Sequence, residues 1–237
     1  MYSKKMRERT FDDFDKFAGD YRKIHSDNIK LSGGDSYYFA EHKVLELKKQ
    51  EKDINLKMLD VGCGDGATEF FVKKHFPSWQ TYGIDVSGQS IDVARSRNID
   101  SAIFQLYDGL TIPFNDNYFD VIFVAAVLHH INFSLHDTVI NEIYRVLKPG
   151  GRFYLFEHNP LNPVTKYLVK TCVFDKDARL LTYVYAKRKI KTAAFGSIKR
   201  KFILFFPRKG IFSRFIKLED VLGWFPFGAQ YYYRSIK

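Results

Sequence analysis

The chain has 237 residues, with 37 Lys or Arg against 27 Asp or Glu, for a formal net charge of +10. That length suits one large α/β domain, or one domain with appendages, and 23 Phe and 15 Tyr supply a substantial core. No apolar run reaches the roughly 18 residues needed to span a bilayer. The charged stretch Met1–Lys16 lacks the apolar core of a secretory signal. The two cysteines, Cys63 and Cys172, offer no disulfide framework and no zinc spacing. A protein of the reducing cytoplasm is the expectation.

The elements follow in chain order. Phe11, Phe14, Phe17, Ala18 and Tyr21 recur at helical spacing, with Asp12 and Asp13 near the start, so residues 9–31 read as a helix. Leu31-Ser32-Gly33-Gly34-Asp35 reads as a loop, and a second helix is predicted over residues 36–49. Both precede the first strand, so residues 1–56 form a helical segment able to lie across a ligand cleft.

Strands and helices then alternate. Strands are predicted at 57–61, 80–85, 101–107, 119–125 and 152–157, with helices through 70–75, 88–97 and 137–147 between them. The strand at 119–125 is a nearly continuous apolar run, as a strand covered on both faces requires. Lys148-Pro149-Gly150-Gly151 reads as a helix stop. The alternation predicts a doubly wound, mostly parallel sheet over residues 57–158. A lysine-rich helical insertion over 159–198 follows, then two late strands at 201–206 and 229–233 within the terminal segment 199–237.

The charge is uneven. Residues 157–237 hold 17 Lys and Arg against 5 Asp and Glu. A basic half fits a polyanionic partner or a solvated face.

The most informative stretch is Leu59-Asp60-Val61-Gly62-Cys63-Gly64-Asp65-Gly66, followed by Gly83-Ile84-Asp85-Val86-Ser87. A strand that breaks into a glycine turn, with an acid at the end of the next strand, is how a Rossmann-type half-sheet grips an adenosine ligand. Gly62 and Gly64 let backbone approach the ligand. Asp85 offers two oxygens to a ribose diol. The spacing is G-x-G-x-G, not the G-x-G-x-x-G of dinucleotide enzymes. With Asp60 before it, this resembles motif I of class I S-adenosylmethionine-dependent methyltransferases.

Further segments resemble that family in order and spacing: Leu106-Tyr107-Asp108-Gly109, then Ile112-Pro113-Phe114, Asp116-Asn117-Tyr118-Phe119-Asp120, Ala125-Ala126-Val127-Leu128-His129-His130, and Tyr144-Arg145-Val146-Leu147-Lys148-Pro149-Gly150-Gly151. The resemblance covers residues 58–157, and the two late strands fit the family's final hairpin. It implies a Rossmann-like α/β fold: seven strands, with an antiparallel strand from a C-terminal hairpin. It implies S-adenosylmethionine as cofactor, leaving as S-adenosylhomocysteine. Asp60, Gly62, Cys63, Gly64, Asp85, Val86, Asp108, Gly109 and Ala125 are its expected cofactor-binding residues, with Tyr21 from the N-terminal helix. Asp60 would face the cofactor's amino group and Asp108 the adenine amino group.

The sulfonium already activates the methyl group, so the protein must align the acceptor atom about 3 Å away and exclude water. A hydroxyl acceptor also needs a base. His129 and His130 follow the fourth strand and Glu157 the fifth, at the sheet edge where open α/β sheets bind ligands. Either histidine is a candidate general base, and either could instead be packed against the cofactor. Glu157 is an acceptor contact or a structural carboxylate. His129, His130 and Glu157 do not follow a known ligand spacing, so no metal is expected.

The expected acceptor is a small molecule methylated on oxygen, phosphorylated or nucleotide-linked. Nucleic-acid bases are disfavoured, because Ala125-Ala126-Val127-Leu128 stands where base-amine methyltransferases carry N/D-P-P-Y/F. Glu157-His158-Asn159-Pro160, Cys172-Val173-Phe174-Asp175 and the ending Trp224-Phe225-Pro226-Phe227 resemble bacterial methyltransferases of surface-polysaccharide biosynthesis. RNA, a lipid precursor, or cofactor binding without turnover are the rival readings.

Overall fold

A computed structural model describes residues 36–172, 175, 178–207 and 210–237. The expected helix over residues 9–31, its Tyr21 and the following loop lie outside these residues. Seven strands form one sheet: β1 (Lys57–Val61), β2 (Gln80–Asp85), β3 (Ala102–Leu106), β4 (Phe119–Ala125), β5 (Leu147–His158), β6 (Gly196–Ile203) and β7 (Gln230–Ile236). Their spatial order is β3-β2-β1-β4-β5-β7-β6. The first five run parallel, and β7 pairs antiparallel with both β5 and β6. The order reverses direction between β1 and β4, which is the ligand-binding switch point of such sheets.

Alternation along the central strands divides the core in two. Leu59, Val61, Ile122, Val124, Phe153 and Leu155 face one side, and Met58, Val121, Phe123, Tyr154 and Phe156 the other. Helices α1 (Ser36–Gln50) and α2 (Ala67–His75) cover the second side through Val44, Leu47, Phe71 and Val72. Helices α4 (His136–Val146) and α6 (Tyr183–Thr192) cover the first through Val139, Ile140, Ile143, Ala186 and Ile190. Helix α3 (Gly88–Ser96) closes a smaller cluster with Ile91 and Ala94 against Cys63 and Phe104. Helix α5 (Pro163–Thr171) opens the insertion, capped by the Asn162 side chain.

Two boundaries differ from the sequence expectation. β5 starts at Leu147, directly after α4, and carries the Lys148–Gly151 run inside it as an irregularity in its pairing with β4. Gly150 takes a left-handed φ of 76°. Its N–H donates to the Lys237 carbonyl, and Gly151 O accepts from Lys237 N, so β5 and the chain end hold the bulge. β6 starts at Gly196, earlier than the apolar run suggests. It is an edge strand rich in Lys and Arg, mostly exposed, so its pattern is not that of a buried strand. Past its end, Glu219 accepts from the N–H groups of Leu204, Phe205 and Phe206.

Several family-like motif residues prove to be braces. Arg145 pairs with Glu142 and Asp116 and donates to the carbonyls of Ile112 and Phe114. It thereby fixes the loop leading into β4. On β7, Tyr231 and Tyr233 donate to the carbonyls of Leu181 and Tyr183, tying the insertion to the sheet.

Candidate cofactor and acceptor site

The glycine loop leaves β1 between β2 and β4, and its shape is set by its neighbours. Gly62 adopts a φ of 79°, and a Cβ there would lie 2.4 Å from Val127 Cγ2. Gly64 has a φ of 54°, and a Cβ there would meet no atom within 4 Å. The first glycine is thus required by the protein's own packing, while the second borders open space. Cys63 turns its side chain inward against Ile91, Ala94 and Phe104. It contributes backbone to the loop, and burial pushes its thiol well above the usual range.

Acids surround this loop. Asp85, at the end of β2, accepts from Gly64 N and Ser87 N, each at 2.9 Å. Two of its lone-pair directions thus set the loop, and a carboxylate has further acceptor capacity. Asp60 is buried. Burial first, and then the Asp85 charge, push it up to about 7, against a hydrogen bond from Thr68. Glu69, in the first turn of α2, is buried, and neither of its oxygens has a hydrogen-bond partner. Burial and the Asp60 charge raise it well above the carboxylate range. Sequence reading missed Glu69; its signal was an acid in the first turn of the helix behind the glycine loop. Gly83 is explained by the same group, because a Cβ there would lie 2.6 Å from Glu69 Oε1 and 2.8 Å from Cys63 Sγ.

Asp108 is exposed after β3 and accepts from Leu110 N and Thr111 N. Gly109 beside it has a φ of 80°. Val86 and Ala125 are half-buried at the ends of β2 and β4. Buried acids at a glycine loop, whose ionised forms a nearby cation stabilises, suit a ligand that carries a sulfonium and an ammonium, and the open space at Gly64 gives that ligand room. The residues therefore fit S-adenosylmethionine.

The second half of the site lies at the same sheet edge, after β4 and β5. A short 3-10 turn over Leu128–His130 presents both histidines. His129 is buried, and its Nδ1 lies 2.6 Å from Glu157 Oε2. Glu157 Oε1 accepts from Leu128 N at 3.0 Å. Both Glu157 oxygens are therefore engaged with the turn, in keeping with a structural carboxylate. His129 Nε2 faces Asp175 Oδ1 at 3.7 Å, and His130 Nε2 faces the same oxygen at 3.4 Å. His158 brings a third imidazole, its ring 5.3 Å from that of His129.

Electrostatics separate the pair. Burial opposes charge on His129, but the Glu157 and Asp175 carboxylates outweigh it and raise the group to about 9. Burial and then the neighbouring His129 charge lower His130 to about 3. At neutral pH His130 is therefore the uncharged imidazole of the pair, and it is also the more exposed of the two. Burial raises Asp175, yet the charges of the surrounding histidines hold it far below its ordinary value. Asp175 comes from the insertion, and only the fold brings it to the histidines.

Residues 59–155 match the methyltransferase domain family. A ubiquinone/menaquinone biosynthesis C-methyltransferase, UbiE, of Burkholderia cenocepacia (strain HI2424) is 36% identical over 115 residues, covering 46% of this chain and 46% of its own. UbiE of Burkholderia multivorans (strain ATCC 17616 / 249) is 38% identical over 105 residues, covering 43% and 42%. The matched region thus spans less than half the length of these curated relatives. Among solved structures, an S-adenosylmethionine-dependent methyltransferase of Thermotoga maritima superimposes with a TM-score of 0.69 at 18% identity, over 96% of this chain and 99% of the other. One of Archaeoglobus fulgidus gives 0.66 at 14%, over 86% and 95%. These likenesses show the fold. Residues 59–155 thus match a methyltransferase domain on a Rossmann-like sheet, and S-adenosylmethionine is the cofactor that such domains use.

Proposed function

We propose that the protein transfers the methyl group of S-adenosylmethionine to an oxygen of a small acceptor, a sugar or phosphate-bearing intermediate of cell-surface glycan biosynthesis. The observation that carries the reading is the meeting, at one edge of the sheet, of the acid-lined glycine loop and the His129–His130–Asp175 cluster. The cofactor supplies an activated methyl group. Gly62 and Gly64 give it close backbone approach, Asp85 holds its ribose hydroxyls, Asp60 faces its amino group and Asp108 lies on the adenine side. Across the methyl group, the histidine cluster orients the acceptor hydroxyl and lowers the cost of removing its proton. Basic groups of the insertion suit a phosphorylated acceptor: Lys187, Arg188 and Lys191 are exposed on α6, while Lys189 is paired with Asp137.

A second reading is carbon methylation of a quinone precursor, which the names of the curated relatives favour. Carbon methylation also releases a proton, from the ring carbon, so the histidine cluster serves either acceptor and product labelling separates the two readings. Methyl-labelled cofactor incubated with separate panels of phosphorylated sugars, nucleotide-linked sugars and quinone precursors decides the matter. Label in an O-methylated sugar supports the proposal. Label only in a C-methylated quinone overturns it in favour of the second reading.

A further inference from the structure

We propose that His129, His130 and Asp175 form a binding site for a divalent first-row transition-metal ion of the zinc type. One ring nitrogen of each histidine and a carboxylate oxygen of Asp175 all lie within 4.8 Å of one another. Asp175 Oδ1 is 3.4 Å from His130 Nε2 and 3.7 Å from His129 Nε2. Ligands bound to zinc at about 2.0–2.2 Å in a tetrahedron stand roughly 3.3–3.5 Å apart. The three groups therefore need only small side-chain movements to share an ion.

Three further observations point to a cation at the centre. His129 Nε2 is fully buried and has no hydrogen-bond partner, although it is aimed at the carboxylate of Asp175. A buried ring nitrogen turned toward an oxygen anion, but too far for a hydrogen bond, leaves room for a positive group between them. Secondly, the opposite nitrogen of His129 is held by a buried carboxylate. Nδ1–H donates to Glu157, so an ion that displaces the other ring proton meets the lone pair of Nε2. A carboxylate behind a ligating histidine is the usual second layer of a zinc site, where it fixes the tautomer and raises ligand basicity. Thirdly, backbone bonds fix both sides: Arg179 N donates to His129 O, and Asp175 N to Cys172 O. The ligand side chains stand on a turn and a loop that are tied to each other.

Two imidazoles and one carboxylate suit zinc and its neighbours in the series better than magnesium or calcium, which favour oxygen alone. Three protein ligands leave a coordination position open, as in catalytic zinc sites. The role of that position rests on the methyltransferase reading: it would receive the acceptor oxygen, and an ion-bound hydroxyl loses its proton without a side-chain base. The binding of the ion does not depend on that reading. Spacing along the chain hides the site, because Asp175 arrives from the insertion and Glu157, adjacent in kind, serves behind the ligand rather than as one.

The test is a zinc titration of the full, tag-free chain after stripping with a chelator, read by competition with a chromophoric chelator. One ion per chain is expected, and Asp175→Asn and His130→Ala should each weaken binding at least tenfold. His75→Ala, on α2, should leave it unchanged. Thermal unfolding checks that the variants fold. If they do not, cobalt titration of the unaltered chain decides, since a tetrahedral nitrogen and oxygen site gives intense visible bands. Substoichiometric zinc, equal affinity in the folded Asp175→Asn variant, or cobalt without such bands would overturn the proposal. Binding of S-adenosylhomocysteine, measured separately by calorimetry, reports whether the methyltransferase reading stands.

Discussion

His129 and Glu157 meet 2.6 Å apart with both side chains fully enclosed. One stands on the turn after β4 and the other at the end of β5, so the contact locks two loops of the candidate site to each other. Removing one partner of such a pair leaves the other charge buried and uncompensated. Glu157→Ala should therefore lower the unfolding free energy by about 3–5 kcal/mol. Urea unfolding followed by circular dichroism measures it, and a loss below about 1 kcal/mol would show that the pair behaves like a surface contact.

The glycine loop offers a contrast between two adjacent glycines of the same motif. Gly62→Ala drives a methyl group into Val127, whereas Gly64→Ala projects one into open space. The first should lose stability, partly recovered by Val127→Ala. The second should cost about 1–2 kcal/mol for its left-handed backbone, yet abolish binding of S-adenosylhomocysteine. Melting temperatures and calorimetric titration of the variants separate the two effects; intact cofactor binding by Gly64→Ala would remove that glycine from the cofactor cradle.

At the end of β2, Asp85 sets the same loop, and the proposed function puts the ribose hydroxyls beside it. Asp85→Ala should weaken S-adenosylmethionine binding by roughly 1.5–3 kcal/mol, the range for hydrogen bonds to a charged group. A folded variant with unchanged affinity in calorimetric titration excludes the assignment.

Asp60 links the site to pH. Its folded value of about 7 lies above the ordinary carboxylate value near 4. Between those values the folded chain binds more protons than the unfolded chain. This contribution to stability is thus fully present below about pH 4 and is lost as pH rises through 7. The melting temperature of the cofactor-free protein, measured against Asp60→Asn, should fall between pH 5 and 8 by comparison with the variant. A cofactor ammonium beside the carboxylate favours its ionised form, so binding near pH 6.5 should release up to about one proton, detectable by calorimetry in buffers of different ionisation heat. Parallel melting curves for the two proteins would contradict the raised value.

For turnover, His130→Ala should reduce kcat by about 10²–10⁴ with little change in cofactor affinity. The measurement uses the acceptor found in the labelling panel. Near-wild-type kcat would point to an acceptor that is already ionised.

The sequence by itself determined the sheet, the switch point and the glycine loop. β1, β2 and β4 are short runs of buried residues ended by turn chemistry, and such signals are local: apolar periodicity, a glycine whose φ must be positive, an acid at a strand end. Local signals misplace β6, because an edge strand needs no apolar face, and they hide the β5 bulge, because its bonds go to the last residue of the chain. Tertiary structure alone decided the chemistry-bearing partnerships. Glu69 matters through what burial does to its charge, Glu157 through a ring nitrogen on another strand's loop, and Asp175 through an insertion folded back over the histidines. Burial and convergence are properties of three-dimensional neighbours, and residues distant in the chain acquire them only when the sheet has brought its loops to one edge.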